Sequence, residues 1–268
     1  MKRAVANTLI ATAVLTVLMA SAPIVSAQSG IGARVDAVRD GMVRLSFAAR
    51  AGVCGNGGSW YRTRPGGSGS SYNNWNGSRD VEFQCDRGPV RLVVVKAYGE
   101  IQEMRTYVGG RWKADTGYTE LGTVSAKEVG QWLLDLAERG NDKPARESIH
   151  VLTVTDSVEA WPVFLRIARN EQRPKEVRSQ AVFWLGEFAS DKVTASLDSI
   201  AYEPGDREVR KQAIFALSRR PTEEAVPNLL RMAETLPDRE LRKTAIFWLS
   251  RSNDPRALAW ISKALNEK

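Results

Sequence analysis

Reactive side chains are scarce in this chain of 268 residues, which has one histidine, His150, and two cysteines, Cys54 and Cys85. It contains no Cys-x-x-Cys pair, no His-Glu-x-x-His helix, no Gly-x-Ser-x-Gly elbow and no phosphate loop ending in Gly-Lys-Ser/Thr. The usual signatures of redox, metal, acyl-transfer and nucleotide chemistry are therefore missing. Two thiols and one distant imidazole do not have the spacing of a metal site. Gly55-Asn56-Gly57-Gly58 is rich in glycine, but no strand–turn–helix context follows it. Carboxylates distant in sequence leave a glycosidase open in principle, yet nothing singles out such a pair. The expectation is a non-enzymatic protein with no catalytic residue, no metal and no cofactor.

Long apolar runs are also lacking, except at the start. Lys2 and Arg3 precede an apolar stretch from Leu9 to Ala20, and small residues follow at Val25-Ser26-Ala27. That order is the pattern of a secretory signal peptide over residues 1–27, cleaved before Gln28. The run is too short for a comfortable membrane span, and no later segment is apolar enough to be one. Removing Lys2 and Arg3 lowers the formal net charge from +7 to +5. The excess is spread over both halves, which is not the footprint of a nucleic-acid binder. The expected location is periplasmic or secreted. In such an oxidising compartment Cys54 and Cys85 are expected to form a disulfide, and closing their 31-residue interval contributes ~3–4 kcal/mol on the chain-entropy model.

Around the cysteines the pattern is β. Val43, Leu45, Phe47 and Ala49 alternate with Arg44, Ser46, Ala48 and Arg50, as in a half-buried strand. Val81, Phe83 and Cys85 alternate likewise. Pro89 to Tyr98 is a β-branched run, expected to be buried on both faces at its centre, and a further strand is expected from Glu100 to Val108. Between the first two strands lies a Gly/Ser/Asn-rich loop, 55–79, which carries Trp60, Tyr61, Tyr72 and Trp75. Those aromatics beside Asn73, Asn74 and Asn76 form a candidate glycan loop, since ring faces pair with sugar C–H surfaces while amides read hydroxyls. The alternative is a loop whose aromatics fold back over the sheet. From Ser125 a capping box with Glu128 opens a helix, in which Val129, Trp132, Leu133 and Leu136 fall at helical spacing.

The second half repeats every 32 residues. Glu176-Val177-Arg178, Glu208-Val209-Arg210 and Glu240-Leu241-Arg242 each open a segment of similar sequence. With a weaker unit before them, about four units result, near 143–175, 176–207, 208–239 and 240–268. Each is two short helices that bury their apolar faces only by stacking on neighbours. The openings Asp206 to Arg210 and Asp238 to Arg242, with Ala213, Leu217, Ala245 and Leu249, resemble the HEAT-repeat superfamily, particularly its short bacterial units. The second unit departs from the pattern, having Pro174 where an aspartate is usual. The resemblance implies a right-handed α-solenoid over 143–268. The whole chain reads as α+β: a signal peptide (1–27), a small antiparallel β domain (28–124), a connecting helix (125–142) and the solenoid.

On a helical wheel, Val177, Ala181, Trp184, Leu185 and Phe188 share the buried side. Arg178, Arg210 and Arg242 face an adjacent repeat, as a structural ladder expected to pair with acids such as Asp191 or Glu223. Opposite the buried side lie Lys175, Arg207, Arg239, Lys211 and Lys243, with Ser179 and the small Gly186, Ser218 and Ser250. Flanking them are Val182, Ile214 and Ile246 on one side and Phe183, Phe215 and Phe247 on the other. In HEAT-like stacks the second helix lines the concave surface. The resemblance thus implies a groove for a protein or peptide partner, with its basic residues favouring an acidic one. Two alternatives stay open: a merely solvated charge strip, with apolar rows that only join the repeats, and a cell-envelope carbohydrate-binding protein using the aromatic loop.

Overall fold

The computed structural model describes residues 30–266 except 59, 65–66, 72–85, 115 and 189–190, with only the backbone described for 60–64, 67–71 and 191. The leader expected over 1–27, the strand expected at 81–85, and Tyr72, Trp75 and Cys85 lie outside those residues.

After a short helix α1 (Ile31–Asp36), strand β1 (Gly41–Phe47) runs up the middle of a four-stranded sheet with β5 (Val90–Ala97), β6 (Glu100–Val108) and β7 (Tyr118–Thr123), in the order β6-β5-β1-β7. The alternation read in the sequence sets the inner face. Val43 lies opposite Val94, Leu45 opposite Leu92 and Phe47 opposite Val90, and all six are buried. Met104 and Val108 of β6 extend that face.

The sheet is mixed rather than wholly antiparallel. β7 pairs parallel with β1, with a bulge between Arg44 and Leu45. Parallel neighbours need a crossover connection, and here residues 109–117 carry the chain back before β7 enters alongside β1. A second, three-stranded antiparallel sheet of β2 (Val53–Gly55), β3 (Trp60–Arg64) and β4 (Gly67–Ser71) occupies part of the segment expected to be loop. Trp60 and Tyr61 stand on β3 and Cys54 on β2. No described cysteine is free.

Among the described residues nine helices follow: α2 (Ala126–Arg139), α3 (Asp142–Leu152), α4 (Trp161–Arg169), α5 (Lys175–Leu185), α6 (Asp191–Tyr202), α7 (Arg207–Ser218), α8 (Thr222–Thr235), α9 (Arg239–Ser250) and α10 (Pro255–Asn266). The closest partners are α2 with α3, α4 with α5, α6 with α7 and α8 with α9, while α3, α5, α7 and α9 also stack on one another. Helix α2 therefore packs as the first helix of the stack; the expected capping box does not form, since Ser125 makes no side-chain cap and Glu128 instead accepts from the Ile31 amide at 2.7 Å. A single apolar core runs from Ile31 to Ala257. The sheet is tied to the helices by Arg50, whose guanidinium donates to the carbonyls of Thr155 and Val158 at 3.3 and 2.8 Å. Glu147 of α3 accepts from the backbone amide of Met104, and burial of this carboxyl pushes its pKa up.

The outer layer is stitched by ion pairs between successive repeats. Arg166 meets Glu138 at 2.7 Å, Arg231 meets Asp198 at 2.6 Å and Arg256 meets Glu223 at 3.1 Å. Arg178, Arg210 and Arg242 do not form the expected ladder of charge pairs. Arg210 Nε donates to the Ala201 carbonyl at 3.0 Å and Arg242 to that of Leu236 at 2.5 Å, while the Arg178 Nε is buried without a hydrogen-bond partner. The physical reason is position: these side chains reach the end of the preceding helix, where carbonyls lack intrahelical donors. Glu223 is taken by Arg256 instead, and the side chain of Asp191 lies outside the described set.

Gly186, expected within the exposed strip, is a buried point of close approach. A Cβ there would lie 2.8 Å from the Ala216 carbonyl oxygen and 3.1 Å from its Cα. Backbone cannot yield as a side chain does. Gly186→Ala is expected to cost about 1–3 kcal/mol by overpacking, measurable as a lower urea midpoint with unchanged slope.

Candidate functional site

Helices α5, α7 and α9 form consecutive rungs of one layer, and the 32-residue period puts equivalent residues at equivalent places on each. Asp206 and Asp238 cap α7 and α9, each accepting from the amides two and three residues on. Pro174 stands at the same place before α5 and makes no side-chain cap. The capping fixes where each helix begins, and hence the alignment of Lys175, Arg207 and Arg239 at the first helical position.

Those cations are largely offset by neighbouring carboxylates. Arg207 reaches Asp238 of the next repeat at 2.8 Å. Lys211 pairs with Glu208 at 3.0 Å and Lys243 with Glu240 at 2.8 Å, each one turn away on its own helix. The hydrogen bonds from Arg207 and Lys243 hold the carboxyls of Asp238 and Glu240 below the usual carboxylate range. Lys175 and Arg239 are exposed at the helix starts. The strip is therefore a row of ion pairs with a small net charge.

The two apolar rows differ. Val182 and Ile214 are fully buried, and Ile246 is partly buried against the core, so that row joins one repeat to the next. The phenylalanine row faces outward. Phe183 stacks on Phe215 at 5.8 Å, Phe215 meets Trp248 at 4.7 Å, and Trp248 meets Phe247 at 4.9 Å. At the other end Phe183 meets Trp184 at 4.9 Å, and Trp184 meets the His150 ring at 5.4 Å. Phe247 is 51% exposed, the most open of the row. The sequence reading treated Phe215 and Phe247 as walls and placed Trp184 on the buried side. It did not anticipate that adjacent Phe–Trp pairs on α5 and α9 would join with Phe215 of α7 into one continuous band.

Among the described residues no group of three or more His, Cys, Asp or Glu side chains is arranged to hold a metal ion. No described helix is long and apolar enough to cross a membrane.

The rings of α5, α7 and α9 thus form one continuous row across three stacked helix pairs. No curated protein matches the chain. A family model of HEAT repeats matches residues 162–235 and, overlapping them, 199–268. These two matches take in α4 to α10, including all three copies of the 32-residue unit, and residues 162–268 are a HEAT-repeat segment, the kind of scaffold that mediates protein interactions.

Proposed function

We propose that the protein is a non-enzymatic exported scaffold that holds a polypeptide segment across α5, α7 and α9. The observation that supports this is the aromatic band, because half-buried rings at equivalent places on successive repeats, ending at the exposed Phe247, offer apolar anchors at a regular spacing. Aromatic residues are the usual energetic centres of such interfaces. Around them Lys211–Glu208 and Lys243–Glu240 form a charged rim that selects more than it attracts. Export rests on the leader sequence, and with it goes a disulfide between Cys54 and Cys85 that closes the base of the β2–β4 segment. An acidic partner is the finer form of the same reading, supported by Lys175 and Arg239 at the open helix starts.

The test is capture by the mature chain from envelope extract. Phe247→Ser combined with Phe215→Ser is expected to abolish it while helicity stays unchanged. Lys211→Glu with Lys243→Glu is expected to weaken it several-fold, and rising salt to mimic that change. Undiminished capture by the double serine variant would rule out this face.

A further inference from the structure

The outer face of the four-stranded sheet is a cationic pocket that neither strand alternation nor the repeats foreshadow. Register brings its residues together. Arg105 of β6, Val93 of β5 and Arg44 of β1 lie side by side in one cross-strand row, and Tyr107 and Arg91 begin the next. The segment after β6 turns back over this face. Gly109 and Gly110 both have positive φ, and a Cβ on either would lie under 3 Å from backbone of the β2 segment. That turn sets Trp112 against the arginines and encloses a cavity of about 320 Å³.

Two of the arginines are fixed in place. Arg44, only 8% exposed, pairs with Glu120, donates to the Lys113 carbonyl at 3.1 Å, and lies 5.1 Å from the Trp112 ring and 4.7 Å from that of Tyr118. Arg91 donates to the Gly110 carbonyl at 2.6 Å and lies 5.5 Å from Trp112. Guanidinium groups thus occupy the Trp112 ring, which makes it a prop for charge and not a platform for a sugar or base. Arg105, Arg111 and Lys113 line the same cavity from its rim.

The charge count identifies the ligand class. Five cations line the cavity, and no described acid does. Glu120 offsets Arg44 and Glu103 offsets Arg105 from outside it, leaving an excess of three positive charges among the described residues. A monocarboxylate would leave most of that excess uncompensated, whereas a phosphate monoester carries about −1.5 to −2 at neutral pH and suits the planar fork of arginine. The cavity also has room beyond the phosphate group, beside Tyr107 and Val93.

We propose that this pocket binds a phosphorylated small molecule, with Arg111 and Lys113 closing on the phosphate that Arg44 and Arg91 attract. The site is separate from the α5–α7–α9 face and does not depend on it.

The test is calorimetric titration of the full mature chain with glucose 6-phosphate, inorganic phosphate, citrate and glucose. Glucose 6-phosphate is expected to bind saturably, inorganic phosphate more weakly, and glucose not at all. Arg111→Gln with Lys113→Gln is expected to weaken binding roughly tenfold to a hundredfold, as the loss of charge-assisted hydrogen bonds predicts. Both positions are exposed, so folding should be unaffected. Phe247→Ser should leave the titration unchanged. Absence of saturable binding by either phosphate at millimolar concentration would overturn the proposal, as would undiminished binding by the double variant. Tighter binding of citrate than of glucose 6-phosphate would overturn the assignment to phosphate.

Discussion

Replacing Arg220 by alanine is expected to destabilise the protein by about 3 kcal/mol, the low end of what breaking a buried charge pair costs. Arg220 is 8% exposed and lies between α5, α6 and α8. Its Nη2 meets Glu224 at 3.0 Å, its Nε donates to the Thr194 hydroxyl at 2.9 Å, and its Nη1 donates to the Phe188 carbonyl. Thr194 in turn donates to Glu224. One guanidinium therefore satisfies a carbonyl in the turn after α5, a hydroxyl on α6 and a carboxylate on α8. Alanine leaves those acceptors without their donor and opens a cavity among them. The low end applies because the Glu224 side chain is 30% exposed and keeps access to water. Arg220→Lys is expected to cost less, since it retains the charge but loses the fork geometry. Urea unfolding of the two variants checks the ranking; equal losses would mean that charge alone matters there.

The parts of the fold legible in the sequence are those set by local pattern. The 32-residue repeat of three helices requires no knowledge of distant contacts, β1 follows from period-two alternation, and β5 follows from its β-branched run, with β6 as the strand after Gly99. β7 was not legible. Tyr118–Thr123 has no alternating burial, and it becomes a strand only because β1 offers a free edge after residues 109–117 cross over. Helix α1 was missed for a similar reason. Its six residues are held by the Ile31 amide donating to Glu128 and by Arg34 donating to the Leu121 carbonyl, contacts 97 and 87 residues apart.

The same distinction applies to the candidate sites. Phe215 and Phe247 were found because they recur, and the charges around them were found by angle. Their neutralisation by Glu208, Glu240 and Asp238 was legible only in part. The first two carboxylates stand three residues before the lysines they meet, but Arg207 crosses to another repeat. The cationic pocket was scarcely legible. Arg44 and Ser46 read as the solvent side of a strand, yet both are less than 9% exposed: Arg44 lies under Trp112 and Tyr118, and Ser46 meets the Thr123 hydroxyl of β7 at 3.1 Å. A clue lay in Arg91 and Arg105, which stand on the outward positions of the two neighbouring strands. Only the register places them beside Arg44.

Lowering the pH from 7 to 5 is expected to remove on the order of 2 kcal/mol of stability through His150 alone. Burial pushes this imidazole down to about 4 from its ordinary 6.5, because the charged form loses solvation among the helices around Trp184. Between those values the unfolded chain binds a proton that the folded chain does not. Stability is therefore fully present above about pH 6.5 and falls as the pH drops towards 4. Carboxyls held low by arginine or lysine, such as Glu138 beside Arg166, also weaken the fold in acid, but only below the carboxylate range. Glu147 acts in the opposite sense, since its raised pKa favours the protonated folded state. A decline between 6.5 and 5 thus reports on the single histidine of the chain. Urea unfolding at pH 7, 6 and 5 should show the decline, and His150→Gln should flatten it whatever its own stability at pH 7. A variant that declines as steeply as the parent would place the acid sensitivity elsewhere.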